Sequence, residues 1–436
     1  MTEKRKKLNL STRILLAMVL GAASGWVLTL LGRPDWAQVW LVDGIFRVFG
    51  QVFIALLQML VVPLVFVSLV CGSSSLSDPK MLGRVGGKTV LLYLLTTGIA
   101  VTLALTAAAV FQPGVGASPV TTVEREISEA TPFTQVIIDM VPKNPVSAMA
   151  NAQMLPIIVF SVLLGIAITL SGRRGERVSS WFQDMNHVIM RLVTLVMRFA
   201  PYGVFALLAT LAATSELADF LAVGKYVVLV FAVLLLHALI VYPTLLTFLA
   251  RVNPLTFLAK MRAAMMFAFS TASSNATIPV TLETAEKRLG VSNKVASFTV
   301  PLGATINMDG TAIMQGIATG FIAQFYGIDL SVGQYLMVVA MVILASIGTA
   351  GVPSVGLVVL AGVLTQVGLP AEGIAMILGI DRVLDMTRTA VNITGDATVT
   401  TIVARSEGEL DLEVFNDREA GEAYEGEAME AGSPSS

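Results

Sequence analysis

Residues 381–396 of this chain, DRVLDMTRTAVNITGD, carry three carboxylates and two guanidinium groups between two apolar segments. On a helix that advances about 100° per residue, positions 381, 385, 388, 392 and 396 share one stripe about 80° wide. The residue types in this stripe suit ionic ligands. Arg388 offers a fork for a carboxylate, Asp385 can accept an ammonium group, and Asp396 can hold a hard cation.

The same charges also allow a purely structural interpretation. Asp385 and Arg388 are three residues apart and could neutralise each other as an internal ion pair that joins helices. Exposing one charge to lipid at mid-membrane would cost at least about 2.5 kcal/mol. Under either interpretation the stripe must therefore face the protein interior or a water-filled cavity. Arg382 lies to one side of it, where it could balance Asp381 or extend toward the membrane surface.

A second polar cluster is the motif INMDGTA at residues 306–312. Asn307, Asp309 and Thr311 surround Gly310, which permits a broken helix. Freed carbonyls together with Asn and Asp oxygens suit a hard cation. A helix kink around a buried, hydrogen-bonded Asp309 is the alternative.

The composition identifies the environment of these elements. Of the 436 residues, 55% are hydrophobic and 13% are charged, whereas about a quarter of an ordinary soluble domain is charged. Long apolar runs recur from residues 14–31 onward, each close to the roughly 20 residues that a spanning helix needs. We predict a polytopic membrane protein whose first run is retained, because it is too long for a signal peptide. The single Cys71 excludes an internal disulfide, and the basic residues lie in short loops, so no nucleic-acid partner is expected.

The charged loops predict the topology, because positive loops mark the cytoplasmic side. The N-terminal sequence EKRKK is basic, and basic and acidic connections then alternate through six predicted crossings. The last helix runs inward to Arg405, so both termini are predicted to be cytoplasmic. The compact loops favour a prokaryotic inner membrane. Residues 407–436 are strongly acidic and are predicted to be a disordered tail, with regulatory docking as the alternative.

Two segments interrupt the alternation of basic and acidic connections. Residues 270–280, STASSNATIPV, have basic residues on both flanks, so this segment should enter and leave on the cytoplasmic side. Residues 344–360, LASIGTAGVPSVGLVVL, should enter and leave on the outside. Small polar residues, glycine and proline make both segments poor lipid-facing helices, and we predict re-entrant hairpins that are buried in protein.

The spacing around these segments repeats. Pro279 precedes Asn307 by 28 residues, and Pro353 precedes Asp381 by the same 28. The two hairpins and the helices after them therefore form an inverted repeat. Paired, broken hydrophobic segments at matching positions are typical of the binding site of a secondary transporter.

Four motifs, TASSNATIPVT, NMDGTA, SIGTAGVP and DMTRTAVNITGD, resemble those of the glutamate transporter family, the dicarboxylate/amino acid:cation symporters. The resemblance extends to about Arg405. It implies an all-α membrane protein, a homotrimer whose protomers have eight transmembrane helices and two opposed re-entrant hairpins. A transport domain would slide against a trimerisation scaffold as an elevator. The implied activity is sodium-driven uptake of L-aspartate or L-glutamate, with membrane lipid as a partner, no catalytic cofactor and no enzymatic reaction.

This resemblance also implies a domain division. Residues 1–11 form the cytoplasmic N-terminus, 12–85 scaffold helices 1 and 2, 86–112 transport-domain helix 3, 131–214 scaffold helices 4 and 5, 222–406 the remaining transport domain, and 407–436 the acidic tail. Within the transport domain, helix 6 is followed by hairpin 1 at about 255–288, helix 7 at about 294–326, hairpin 2 at about 332–366 and helix 8 at about 371–406.

Substrate contacts follow from the resemblance position by position. Arg388 should bind the side-chain carboxylate with help from Thr311, and Asp385 should bind the amino group. Asn392, Thr389 and the hairpin tip at Ser274 should bind the α-carboxylate. The implied substrate set is Ser273, Ser274, Thr311, Val352, Asp385, Arg388, Thr389 and Asn392.

Three sodium sites are implied in the same way. The first combines the Asp396 carboxylate with carbonyls of Gly303, Asn307 and Asn392. The second uses Asn307 and Asp309 with Tyr93, Thr96 and Thr97. The third uses backbone oxygens of Thr305, Ser346, Ile347 and Thr349, so that closure of hairpin 2 would report sodium occupancy.

One position departs from the family pattern. Family members usually carry a second arginine, either just before the hairpin serines or directly after the position of Asp385. The residues here are Ala272 and Met386. Arg382, one turn before Asp385, could supply the missing charge. The departure bears on translocation kinetics and on potassium counter-transport.

Several alternatives stay open at this point. Proton-coupled glutamate uptake and C4-dicarboxylate uptake are compatible with the same fold. Asp385 argues against a substrate without an amino group, because an unpaired buried carboxylate is costly. His187 and His237 are interpreted as packing or interfacial residues rather than proton relays. An intramembrane aspartyl protease, in which Asp309 shares a proton with Asp385 or Asp396, would leave the arginine at position 388 and the duplicated hairpins without a role.

Overall fold

The computed structural model describes residues 10–32, 34–74, 82–116, 138, 141–214, 217–346, 355–378, 380–417 and 420. Regular structure in these ranges is helical, apart from one isolated antiparallel bridge between Val291 and Leu410. The predicted all-α class is therefore confirmed.

The helices are numbered here in chain order. They are α1 (Leu10–Leu30), α2 (35–74), α3 (82–111), α4 (Pro145–Ala150), α5 (Met154–Leu170), α6 (Arg173–Met197), α7 (Ala200–Thr214), α8 (217–250), α9 (Pro254–Thr271), α10 (274–288), α11 (Asn293–Ile306), α12 (Asp309–Phe325), α13 (Val332–Ser346), α14 (Val355–Gln366), α15 (Ile374–Leu378), α16 (Asp381–Glu407) and α17 (Leu412–Asn416). Short π-helical stretches lie within α2, α3, α8 and α10.

The helices pack in two groups. In the first group, α1 lies along α7, while α2 contacts α5, α6 and α7. In the second group, α16 is central and contacts α3, α8, α9, α10, α11 and α12. The helix pairs at the predicted hairpins are α9 with α10, called hairpin 1 here, and α13 with α14, called hairpin 2. The two helices of each pair contact each other.

The two groups meet through hairpin 2 and the short helix that follows it. Helix α14 packs against α2, α13 packs against α5, and α15 packs against α7. Comparable packing of α9 or α10 against the first group is not seen in the described residues. Hairpin 2 therefore makes the larger contact with the first group.

The predicted break in the INMDGTA motif is confirmed. Helix α11 ends at Ile306, and both Asn307 and Met308 have non-helical backbone angles before α12 begins at Asp309. The Gly310 amide, which the break leaves without a helical partner, donates 2.7 Å to Oδ1 of Asn392 on α16. A side chain of the final helix thus stabilises the break, because buried backbone amides need an acceptor.

Three described stretches are long and apolar enough to cross a membrane by length and composition: Asp35–Leu56, Arg84–Phe111 and Leu221–Ala250. Shorter apolar helices include Pro156–Leu170, Val332–Ser346 and Val355–Gln366. Helix α16 is not among these candidate membrane-spanning helices because it carries too many charges, although it is almost entirely buried from residue 388 to residue 404. Its polar residues are shielded by neighbouring helices, so composition alone does not mark it as a span.

The prediction that disorder begins at residue 407 does not hold for the first part of the tail. Helix α16 continues to Glu407, and α17 follows with Asp411 as its N-cap, accepting from the amides of Glu413 and Val414. Phe415 is fully buried. The acidic composition predicted disorder here. A single buried aromatic side chain and several ion pairs are enough to hold this segment against the protein. Residues 421–436 lie outside the described residues.

Candidate functional site

The stripe predicted on α16 faces the interior. Asp381, Asp385, Arg388, Asn392 and Asp396 are all buried. Because α16 is surrounded by helices of its own group, its apolar residues from Ala390 to Ala404 are buried as well. The helix is therefore a central element of the second group rather than an amphipathic helix at its edge.

Arg388 is 1% exposed and forms the centre of an ion-pair network. Its Nη2 donates 2.8 Å to Oδ1 of Asp385 and lies 3.0 Å from Oδ1 of Asp381. Arg382 Nη1 lies 3.8 Å from the other oxygen of Asp385. The ion pair expected under the structural interpretation is thus present, and Arg382 supplies a second positive charge to Asp385.

This network does not use up the donors of Arg388. Nε and Nη1 have no hydrogen-bond partner among the described residues. An unpaired buried donor costs about 1–3 kcal/mol. The guanidinium thus retains two charged donors, and each of them can bond an oxygen of a ligand carboxylate.

Thr311 and the start of α14 lie beside this arginine. A Cβ built on Gly356 would lie 2.9 Å from Cγ2 of Thr311 and 3.5 Å from Nη1 of Arg388. The Gly356 carbonyl accepts from Nε2 of Gln315 at 3.1 Å. The start of α14 thereby lies against the predicted carboxylate-binding pair. Val352 lies outside the described residues.

Thr389 and Asn392 are engaged with the protein itself. The Thr389 hydroxyl donates 2.8 Å to the backbone carbonyl of Asp385. Asn392 accepts from Gly310 and has its Nδ2 3.2 Å from Sδ of Met308. These bonds fix the polar wall of the site, and a ligand would have to share or displace them.

The hairpin 1 tip is the turn between α9 and α10. Ala272 adopts a left-handed conformation with φ 50°, and Ser273 caps α10 by accepting from the Ala276 amide at 3.2 Å. Ser273 and Ser274 are buried, and α10 packs against α16. The tip serines are thus on a helix that contacts the charged helix.

Asp309 forms the first buried carboxylate cluster. Its Oδ1 accepts from Thr97 at 2.7 Å and lies 3.4 Å from the Thr96 hydroxyl. Thr96 also donates 3.1 Å to Oδ1 of Asn307. Four of the five residues predicted for this site are therefore brought together. The hydroxyl of the fifth, Tyr93, donates instead to the Thr299 carbonyl at 2.9 Å.

Asp396 forms the second buried carboxylate cluster. Asn307 Nδ2 donates 2.9 Å to its Oδ1 and lies 3.4 Å from the Asn392 carbonyl. A Cβ built on Gly303 would lie 2.5 Å from this same Oδ1 and 2.6 Å from the Tyr93 hydroxyl. The structure thus gathers all the residues predicted for this site, with Tyr93 added to them.

Both carboxylates lack a lysine or arginine partner among the described residues. A buried carboxylate without a counter-charge is strongly disfavoured. Oxygen-rich surroundings with net negative charge are suited to a hard monovalent cation. Of the third predicted site, Thr305 donates to the Pro301 carbonyl and Ser346 to the Ile343 carbonyl. Ile347 and Thr349 lie outside the described residues.

Sequence reasoning missed His237 and Tyr242. The Tyr242 hydroxyl donates 2.8 Å to Oδ2 of Asp309, and His237 Nε2 lies 3.3 Å from the same oxygen. The interpretation of His237 as a packing residue rests on the absence of a partner motif in the sequence, and on a regular α-helix positions 237 and 242 would lie about 140° apart. The π-helical stretch His237–Val241 brings them to one face, with ring centroids 4.7 Å apart. A π-stretch closes on residue i+5, which periodicity does not reveal.

Comparison with known proteins identifies the family of this chain. The sequence matches the sodium:dicarboxylate symporter family over residues 10–406. It is 37% identical over 441 residues to the proton/glutamate-aspartate symporter of Escherichia coli (strain K12), covering 98% of each chain. It is 34% identical to the proton/sodium-glutamate symport protein of Bacillus caldotenax, covering 94% of this chain and 97% of that one.

More distant relatives are found in animals. Excitatory amino acid transporter 3 of Oryctolagus cuniculus is 31% identical over 448 residues, covering 90% of this chain and 85% of the relative. The protease alternative is therefore excluded, and the chain belongs to the sodium:dicarboxylate symporter family, whose members are transporters rather than enzymes.

Proposed function

We propose that this protein is a secondary symporter that takes up L-aspartate or L-glutamate, driven by a sodium gradient. The observation that carries the proposal is the buried guanidinium of Arg388, which keeps two hydrogen-bonding nitrogens beside Asp385. An acidic amino acid matches this pair, with a carboxylate for the arginine and an ammonium group for the aspartate. Curated relatives are named for glutamate and aspartate.

The rival C4-dicarboxylate substrate needs a direct test. Asp385 would disfavour a C4-dicarboxylate only if this carboxylate had no partner other than the ammonium group of a substrate. In the structure Asp385 is paired with Arg388 and faces Arg382, so its charge is already balanced. The amino group thus gains a partner at Asp385 but is not required to neutralise it, and competition by succinate separates the two substrate classes.

Cation coupling is assigned to the two carboxylate clusters. Asp309 with Thr96 and Thr97, and Asp396 with Gly303, offer oxygen donors in fully buried positions. Binding of a cation at each cluster would neutralise a buried charge. Ion binding and substrate binding are then linked, because Asn392 lies in the wall of the substrate site and its carbonyl faces the Asp396 cluster.

Proton coupling is the second candidate, and His237 supports it. Histidine is the side chain whose charge changes most readily near neutral pH. Its contact with Asp309 would place a proton at the first carboxylate cluster. Relatives carry names for proton as well as sodium symport. Sodium is preferred here because Thr96 and Thr97 add hydroxyl oxygens that a proton does not need.

Alternating access is assigned to movement of the second helix group against the first, within a homotrimer in the inner membrane with cytoplasmic termini. Hairpin 2 packs on α2, whereas the α9 face carries exposed Leu255, Met266 and Phe269. A groove of about 710 Å³ runs along this face. Hairpin 1 is predicted to enter from the cytoplasmic side, and its α9 face is exposed while hairpin 2 is packed against the first group. This arrangement is that of an inward-facing conformation.

The test is uptake of labelled aspartate into proteoliposomes. Uptake should require an inward sodium gradient and persist when the pH gradient is collapsed. Unlabelled glutamate should compete, and succinate should not. Uptake that follows a pH gradient without sodium would select the proton alternative, and protein-free liposomes measure the leak. Absence of gradient-driven uptake for all three substrates would contradict the proposal.

A further inference from the structure

A buried lysine at the base of hairpin 1 has no part in the site described above. Lys260 on α9 is 2% exposed. Its Nζ donates 2.5 Å to the carbonyl of Arg288 and 2.7 Å to the carbonyl of Val414. The same ammonium lies 5.8 Å from the centre of the Phe415 ring. A buried lysine is retained only where such partners compensate its desolvation.

The residues that Lys260 contacts belong to two different elements. Arg288 ends the second arm of hairpin 1, whereas Val414 and Phe415 belong to residues 407–417, called the C-terminal clasp here. One ammonium therefore joins the first arm of hairpin 1 to its second arm and joins both arms to the clasp.

Backbone hydrogen bonds attach the clasp to the loop that follows hairpin 1. The Ser292 amide donates 3.0 Å to the Glu409 carbonyl, and the Asp411 amide donates 2.8 Å to the Gly290 carbonyl. Gly290 has φ +71°, and a Cβ there would lie 2.5 Å from the Asp411 carbonyl oxygen. Only glycine suits this close, left-handed crossing.

Ion pairs attach the clasp to two further helices. Glu407 accepts from Lys88 of α3 at 2.6 Å and also pairs with Arg84. Glu409 lies 3.0 Å from Lys294 at the start of α11. The aromatic ring of Phe415 completes the attachment within a cluster that includes Phe257 and Met261 of α9.

The base and the tip of hairpin 1 are the two ends of the same pair of helices. Lys260 precedes the tip serines by 13 and 14 residues, a helical distance of about 20 Å. A change in the spacing of the two arms at their base would therefore displace the tip. We propose that Lys260 is a positioning residue, which holds the base of hairpin 1 closed through the C-terminal clasp and thereby places Ser273 and Ser274 against α16.

The experiment uses the full-length protein with two variants on opposite sides of the contact. Lys260→Met keeps the aliphatic stem and removes the donor, and Phe415→Ala removes the ring from the clasp. Arg262→Met, on the exposed side of α9, and Glu413→Ala, on the exposed side of α17, are the matched controls. Hydrogen–deuterium exchange is followed in peptides from hairpin 1 and, as a reference, from α12.

Exchange at hairpin 1 should rise about tenfold or more in both test variants, because Lys260→Met removes the donor from the carbonyls of Arg288 and Val414. Exchange of α12 should stay within about twofold of wild type. Unchanged exchange at hairpin 1 in both variants would overturn the proposal. An equal rise in α12 would also overturn it, since that result indicates general destabilisation.

The second readout rests on the proposed function of the tip serines. In proteoliposomes, KM for aspartate should rise roughly three- to tenfold in both test variants with kcat kept, because a displaced tip loses preorganisation. A merely structural role would lower the amount of active carrier and leave KM unchanged. A hairpin that exchanges faster with an unchanged KM would overturn the link to the site. Failure of the wild type to transport aspartate would refute the proposed function and leave the exchange result intact.

Discussion

The side-chain amide of Asn307 donates 2.9 Å to Oδ1 of Asp396, while its own Oδ1 accepts from Thr96. One side chain at the break between α11 and α12 therefore touches both buried carboxylate clusters. The two clusters share this residue, so a ligand bound at one of them would act on the other through Asn307.

Replacement of Asn307 should affect both clusters at once. In Asn307→Ala, Asp396 loses its amide donor, at a cost of about 1–3 kcal/mol, and Thr96 loses one of its acceptors. The apparent sodium affinity, measured from sodium-dependent uptake, should fall at least about tenfold. Asn293→Ala, at the exposed start of the same helix, is the control. A sodium dependence equal to that of wild type would show that Asn307 does not connect the two clusters.

Gly303 should not tolerate even a methyl group. Gly303→Ala would place a Cβ within 2.5 Å of the Asp396 carboxylate. We expect loss of sodium-dependent substrate binding in calorimetry, with a strain of about 1–3 kcal/mol in thermal stability. At Gly224, where an added methyl group would meet nothing within 4 Å, alanine should be neutral or stabilise the helix. Normal sodium binding by Gly303→Ala would place the ion elsewhere.

Arg388 should determine the preference for acidic substrates. In Arg388→Ala, acidic amino acid uptake should fall by a factor of about 100 or more, since a charge-assisted pair is lost and Asp381 and Asp385 lose their buried partner. Neutral amino acids should be less affected in a competition assay. Arg405→Lys, at the exposed end of the same helix, should behave as wild type. Equal loss for acidic and neutral substrates would argue for a structural role only.

His237 distinguishes the two coupling hypotheses. If sodium drives transport, His237→Asn should keep sodium-driven uptake and lower sodium affinity by a few-fold, because one partner of Asp309 is changed. His187→Asn, on the exposed side of α6, serves as the control. Conversion from pH-driven to pH-independent uptake in His237→Asn would instead support proton coupling.

The clasp should weaken in acid. Hydrogen bonds from Arg84 and Lys88 lower the pKa of Glu407 below its ordinary 4.5. A lowered folded-state pKa means that the stabilisation is complete above 4.5 and is lost as the pH falls through the lowered value. The melting temperature of Glu407→Gln should therefore lie below that of wild type at about pH 6, and the difference should vanish in stronger acid. A difference that stays the same size as the pH is lowered from about 6 into strong acid would contradict this assignment.

Much of the site was accessible from the sequence because its residues lie in local patterns. The stripe on α16 follows from helical periodicity, which places Asp385 and Arg388 one turn apart on any helix. The break at Asn307 follows from a polar motif within an apolar helix. These features depend on neighbours in the chain, and the structure retains them.

The sequence by itself determined the membrane class, the helical fold, the family and most of the candidate site residues, because composition, period and motif are local properties. The tertiary structure alone decided that His237 and Tyr242 meet Asp309 through a π-helical stretch, that Tyr93 lies beside Asp396, and that the acidic tail begins with a docked clasp. These contacts join residues far apart in the chain. Their energies depend on burial and on distances between helices, which no local pattern encodes.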